Sequence, residues 1–337
     1  MKKTDVVIDI VIPWVDGEDS RWQEEHDRYA STSREDDHVS RYRRWDAFRY
    51  WFRMLEANAP WVRTIHFVTW GHVPKWLNTN HPKLHIVNHR DFIPERFLPT
   101  FSSHTIELNM HRIPGLADHF IYFNDDVYLT KKTSPEDFFH CGSPRDTAVM
   151  GIIKNDAVEN FMPYIMLNMM AIINEKFSKK EVVGKHFLKW FHPRYGKYLL
   201  NNAYLLPWGC FTGIRNFHTG VPFEKTTLEE VWREIPDILE ATSLRKFRSR
   251  EDVNQYIFRY WRLMRGQFIP AKPNSDYVTI GKADIGTIER LLKANTILCI
   301  NDDPGDFDAR LENQKLEELF RKYYPDQCSF EIEDSEI

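Results

Sequence analysis

Ile8-Asp9-Ile10-Val11-Ile12-Pro13-Trp14-Val15-Asp16-Gly17 is the stretch whose reading settles the fold class. From Val6 to Pro13 the residues are nearly all apolar and mostly β-branched. Such a run suits a strand covered on both faces rather than one with a wet side. Asp5 and Asp9 interrupt the run and no small-residue cleavage pattern follows, so a strand reads better than a leader peptide. Outward from it, Trp45 to Leu55 places Phe48, Trp51, Phe52 and Leu55 at helical spacing. Short apolar runs then recur at Ile65–Thr69, Leu84–Val87 and Phe120–Phe123, the last ending in Asn124-Asp125-Asp126. Strand, helix and strand in alternation predict an α/β fold with a mostly parallel, Rossmann-like sheet.

Beyond residue 134 the pattern changes. Residues 135–270 read as a mainly helical insertion, with helices over Phe161–Phe177, Glu181–Phe191, Thr227–Leu239 and Asp252–Met264 and a strand over Thr147–Ile153. Pro236 predicts a kink or end in the third of these helices. Residues 271–330 return to α/β, with strands at Tyr277–Ile280 and Thr296–Ile300, a helix at Ile285–Leu292 between them and a closing helix at Leu311–Tyr323. They are expected to complete the sheet, so the three parts make one catalytic domain.

The 337 residues carry a net charge of -4, which weighs against a nucleic-acid binder. Four widely spaced cysteines form no C-x-x-C pair, so neither a zinc knuckle nor a disulfide framework is expected. No apolar run reaches the roughly 18 residues of a membrane span. A cytoplasmic protein is expected, with peripheral docking at the inner face of the membrane compatible with the sequence.

Ligands of open α/β sheets bind outside the carboxyl ends of the strands. Three strands here end in acids: Asp16, Asp125-Asp126 and Asp302-Asp303. Any one of these is as well explained by a turn or a cap. All three at strand ends favour a hard divalent cation, Mg²⁺ or Mn²⁺, that shares a substrate's phosphates.

Four blocks of residues carry a resemblance. The first is Ile8 through Gly17. The second runs from Arg43-Arg44 through Ala59-Pro60-Trp61-Val62-Arg63, Val73-Pro74-Lys75-Trp76-Leu77, His89-Arg90-Asp91, Leu98-Pro99-Thr100-Phe101-Ser102-Ser103-His104, Glu107 and His111-Arg112-Ile113-Pro114-Gly115-Leu116 to Asn124-Asp125-Asp126-Val127. The third, looser in spacing, spans Phe217-His218 to Phe247-Arg248-Ser249-Arg250-Glu251-Asp252, and the fourth is Cys299-Ile300-Asn301-Asp302. In this order they resemble the Stealth family of hexose-1-phosphate transferases, which includes bacterial capsule and exopolysaccharide phosphotransferases. The chain looks like a minimal bacterial form.

The resemblance implies a glycosyltransferase-A-like sheet, a UDP-sugar donor and an acceptor glycan or lipid-linked oligosaccharide. It also implies a divalent metal, a phosphodiester product and release of UMP. It places Asp125, Asp126, His218, Arg248 and Asp302 in the active site, with Asp16 beside the nucleotide. On that footing Asp126 and Asp302 are the expected metal ligands and Arg248 the phosphate clamp. His218 or Asp125 is the general base, and the sequence does not choose between them. Ser103, His104, Glu107 and Asn124 are expected at the substrate, with His111, Arg112 and Arg44 as further cations and Trp208 bordering the acceptor groove. Two rivals remain at this stage: a metal-dependent glycosyltransferase that releases UDP, and a glycan-binding protein without catalysis.

Overall fold

The computed structural model describes residues 6–30, 42–43, 45–302 and 307–332. The chain begins with β1 (Ile8–Pro13), α1 (Ser20–Ala30), α2 (Arg49–Asn58), β2 (Ile65–Thr69), β3 (Leu84–Asn88), α3 (His89–Phe92) and α4 (Ser103–Asn109). It continues with β4 (His119–Tyr122), β5 (Val127–Leu129), β6 (Phe139–His140) and β7 (Ser143–Asp146). A helical stretch follows: α5 (Met162–Lys176), α6 (Lys179–Lys185), α7 (Phe187–Trp190) and α8 (Leu199–Leu205). Then come β8 (Val221–Glu224), α9 (Lys225–Glu234), α10 (Pro236–Leu244), α11 (Tyr256–Arg265) and β9 (Ile269–Pro270). The chain closes with β10 (Ser275–Thr279), α12 (Ile285–Ala294), β11 (Ile297–Asn301) and α13 (Ala309–Tyr323).

The main sheet has the order β3-β2-β1-β4-β8, parallel throughout except for β8 at the edge. Alternation along β1 explains its apolar character. Ile8, Ile10 and Ile12 join one core, with α2 and the C-terminal elements, while Val11 joins the other, with α5, α9 and α11. Asp9, fully buried on the second face, is held by Arg63, by His66 Nε2 at 3.0 Å and by the amide of Ala117 at 2.8 Å. A buried carboxylate is tolerated only with such partners.

The structure departs from the sequence reading in four places. β10 and β11 do not complete the main sheet; with β5 they form a second sheet, in which β11 runs antiparallel to β5. The segment 135–270 is not purely an insertion, because β8 pairs with β4 in the main sheet. Thr147–Ile153 is not a strand: the strand is β7, and Met150 makes only an isolated bridge to Ile214. The helix expected to start at Asp252 begins at Tyr256, because Asp252 is spent on a loop described below. As expected, the helix over Thr227–Leu239 breaks at Pro236, where α9 ends and α10 begins.

Candidate active site

A cleft of about 1760 Å³ opens at the carboxyl ends of β1 and β4. β4 ends at Tyr122, and the Asn124–Asp126 turn returns the chain into β5, closed by the Val127 amide on the Asn124 carbonyl at 3.1 Å. β11 pairs with β5 with Cys299 opposite Val127, and the Ile300 amide donates to the Asp126 carbonyl at 2.9 Å. This register carries Asp302 to the edge where Asp125 and Asp126 already lie. All three line the cleft.

These acids are crowded. Burial and the Asp126 charge push the Asp125 carboxyl up to about 7, with Asp302 adding to the rise and Arg248 opposing it. Asp125 is open to the cleft on one side and enclosed by protein elsewhere, so it keeps some water while losing much of it. Burial pushes Asp126 up to about 6. Its Oδ2 accepts from Cys299 Sγ at 3.2 Å, and its Oδ1 is buried without a partner. Asp302 differs, since Arg43 Nη1 donates to both its oxygens at 2.9 and 3.0 Å and Trp45 Nε1 donates to one at 3.3 Å.

Among the described residues, no three His, Cys, Asp or Glu side chains converge as a ready metal cage. An orphaned carboxylate oxygen beside a second acid nonetheless fits a cation that draws its other ligands from phosphate and water, as Mg²⁺ commonly does.

Arg248 reaches the cleft from a loop built to hold it. Its Nη2 donates to Ser103 Oγ at 2.7 Å, at the start of α4. Asp252, fully buried, takes the Ser249 amide at 2.8 Å, His104 Nδ1 at 2.9 Å and Arg245 Nη1 at 3.1 Å. Phe247 stacks on Phe101, with centroids 5.2 Å apart. His104 thus borders the cleft while its Nδ1 serves the loop. Glu107 behaves likewise: it lines the cleft, yet its two oxygens accept from Tyr122 Oη at 3.1 Å and from the Gln255 amide at 3.1 Å.

His218 lies just before β8 and faces the cleft with its ring 4.3 Å from that of Tyr277 on β10. The ring is open to the cleft but crowded by protein around it, and this partial loss of water lowers its pKa, which favours the neutral imidazole that can accept a proton. Gly220 permits this close approach of the chain, since a Cβ there would meet the Phe123 ring at 2.4 Å. Among the described residues no hydrogen bond joins His218 to Asp125, so Asp125 does not orient that ring here.

Asn124 and Ser103 line the cleft with these groups. Asp16 stands just beyond it: Pro13, Trp14 and Val15 form the wall, and the Asp16 amide donates to His72 Nε2 at 2.8 Å. Arg44 lies outside the described residues. The structure does not bring His111 or Arg112 to the cleft. His111 is buried against Trp232, and burial lowers its pKa to about 3. Arg112 lies over the Trp232 ring at 4.9 Å and bonds Asn109 Oδ1 at 3.1 Å. Both belong to the short turn after α4, which points away from the sheet edge. Trp208 is also absent from the cleft wall and is exposed instead.

Arg43, Arg215 and Gln255 are among the polar residues that line the cleft without having been singled out as site residues from the sequence. Arg43 was visible as half of the Arg43-Arg44 pair, but nothing local told the two apart. Arg215 stands over Tyr198 and Phe217 at 5.0 and 5.5 Å. Gln255 is buried with its Oε1 lacking a partner; no local signal marks it.

The chain matches two conserved regions of one family: Stealth protein conserved region 1 over residues 6–34 and Stealth protein conserved region 2 over residues 41–146. It is similar to the capsular polysaccharide phosphotransferase WcwK of Streptococcus pneumoniae, at 38% identity over 96% of this chain and 98% of that one. The exopolysaccharide phosphotransferase cps2G of Lactiplantibacillus plantarum is 36% identical over 96% of both chains. The receptor polysaccharide phosphotransferase WefC of Streptococcus gordonii is 35% identical over 96% of this chain and 99% of that one. Among solved structures, the galactosyltransferase LgtC in complex with donor and acceptor sugar analogues covers 93% of this chain and 95% of its own, at 11% identity and a TM-score of 0.37. That likeness is too faint to carry an argument.

Proposed function

The chain belongs to the Stealth family of polysaccharide phosphotransferases, and we propose that it moves a hexose-1-phosphate or N-acetylhexosamine-1-phosphate from a UDP-sugar to a hydroxyl of an acceptor glycan. The product is a phosphodiester and the leaving group is UMP. The observation that supports this reading most is the meeting of Asp125, Asp126, Arg248 and His218 in one cleft, from segments spread over more than a hundred residues.

The acceptor oxygen forms a bond to the β-phosphorus, and the bond from that phosphorus to the bridging oxygen breaks. The sugar C1–O bond stays intact, and UMP leaves with the bridging oxygen. Phosphoryl transfer of this kind needs positioning and charge neutralisation more than covalent help. His218, whose pKa is lowered by partial loss of water at the cleft wall, takes the acceptor's hydroxyl proton. Arg248, steadied by Ser103, has donors left to hold the β-phosphate oxygens at two points. Arg43 fixes the direction of Asp302. Asp126, with Asp125 and Asp302 beside it, would hold Mg²⁺ or Mn²⁺. A bound cation there supplies neutralisation of the diphosphate charge.

The test is product analysis. Protein incubated with a panel of UDP-sugars, Mg²⁺ and candidate glycans is expected to release UMP in step with phosphodiester formation. Release of UDP would identify a glycosyltransferase instead, and no nucleotide release from any pair would leave a glycan-binding role.

A further inference from the structure

Residues 182–223 contain no aspartate or glutamate, yet carry Lys185, Lys189, Arg194, Lys197 and Arg215. The chain as a whole has a net charge of -4, so this local excess runs against the bulk. None of the five cations forms an ion pair with a carboxylate among the described residues. Two of them, Lys189 and Arg194, donate to backbone carbonyls instead.

The same stretch concentrates exposed apolar surface. Leu188 is 79% exposed, and Leu200 and Tyr204 are 73% exposed each, more than any other large apolar residue described. Phe187, Leu206 and Trp208 are exposed beside them in sequence. Leu200 and Tyr204 share one face of α8 through their i, i+4 spacing, and Leu206 and Trp208 follow in the turn after it. That turn is built rather than frayed: Lys179 is buried, and its Nζ donates to the carbonyls of Leu205 and Trp208. It thereby satisfies the helix end and fixes the place of Trp208. A soluble surface rarely gathers apolar groups in this way without a partner.

We infer that α8, its following turn and the neighbouring basic segment dock on a membrane surface bearing anionic lipid. Aliphatic, Trp and Tyr side chains enter the boundary between headgroups and acyl chains, and lysine and arginine meet the negative headgroups. Charge selects this occupant over a second copy of the chain, which would set like charges face to face. The surface continues into the functional site, since Leu200 and Tyr204 also line the cleft. Joined to the proposed transfer, on which this last step alone rests, the docking brings the cleft rim to a glycan carried on a lipid.

The experiment is flotation of the full chain with vesicles of phosphatidylcholine and phosphatidylglycerol, and with vesicles of phosphatidylcholine alone. Binding to the anionic vesicles is expected to be at least about tenfold stronger and to weaken sharply at high salt. Trp208 emission should shift to the blue on binding. The pair Leu206→Ser with Trp208→Ser lies outside the cleft wall. It should lose about tenfold in vesicle binding while keeping its circular dichroism and its transfer to a soluble acceptor. Lys185→Glu with Lys197→Glu, a second and independent variant, should lose the preference for anionic lipid. Equal recovery with and without vesicles would overturn the inference, as would binding indifferent to salt and to both variants. A concentration-dependent dimer abolished by Trp208→Ser, without vesicle binding, would assign the face to a second copy. No nucleotide or glycan is needed for flotation, so a failed transfer assay leaves this result standing, and the converse also holds.

Discussion

Asp146 and the Asp125–Asp126 pair are both acids set within the fold, the pair with one side open to the cleft, and the protein treats them in opposite ways. Burial alone would raise the Asp146 carboxyl, but Arg259 and Arg262 outweigh it and hold the group below the usual carboxylate range. Arg259 Nη2 lies 2.8 Å from Oδ1 and Arg262 Nη2 lies 2.6 Å from Oδ2. At the cleft the compensation falls short: Arg248 opposes the rise at Asp125 and Cys299 donates to Asp126, yet the two are pushed up to about 7 and about 6, and one Asp126 oxygen has no partner. The first arrangement ties β7 to α11 and is structural. The second stores unpaired negative charge at a sheet edge, which stability alone would not select. Acids left short of cations inside a cleft mark a place where a ligand is to bring them.

The comparison can be broken most decisively by removing one acid of each kind. Asp146→Asn leaves two buried guanidinium groups short of a counter-charge, and the expected loss is about 3–5 kcal/mol of stability in chemical denaturation. Asp126→Asn relieves repulsion, so its melting temperature should not fall, while turnover drops by about 10³-fold. A destabilised Asp126→Asn protein with full turnover would make the cleft acids structural too. The arginines give a smaller contrast. Arg248→Lys loses two-point contact and should cost about 10²-fold in kcat/KM. Arg112→Lys, on the far side of α4, should stay within about twofold of the parent by the same assay. A similar loss from both would return Arg112 to the site.

The smallest expected effect concerns His111. Burial holds this group neutral, with its pKa lowered from 6.5 to about 3. The unfolded chain takes up a proton below about 6.5 and the folded chain does not, so stability is complete above that pH. It is lost as pH falls toward 3, by about 1.4 kcal/mol at pH 5.5 for this one group. His111→Phe should therefore flatten the acid limb of a stability–pH curve, and an unchanged limb would show that the imidazole is already protonated in the fold.

Much of the scaffold was legible because it follows from local chemistry. β1, β2, β3 and β4 fall where continuous apolar runs put them, and α2 falls where Phe48, Trp51, Phe52 and Leu55 recur at helical spacing. β8 was missed because Val221–Glu224 is only four residues long and contains a proline. The strand assigned to Thr147–Ile153 failed because an apolar run alone does not choose between pairing and packing. Ala148, Val149 and Met150 are buried in the core while Ile152 is exposed, and the segment makes only an isolated bridge. At the site, the order of motifs brought forward Asp125, Asp126, His218 and Arg248, all of which line the cleft. It did not separate them from His111 and Arg112, which sit in an equally dense motif.

By itself, then, the amino-acid order determined which segments bury both faces, where the strands stop and which acids stand at their ends. Tertiary structure decided which cation answers which acid. Arg43 meets Asp302 across 259 residues, and Asp302 reaches Asp125 only because β11 pairs with β5 in one register. Electrostatic compensation depends on distance in space and on excluded water, and neither is a property of neighbouring residues along a chain.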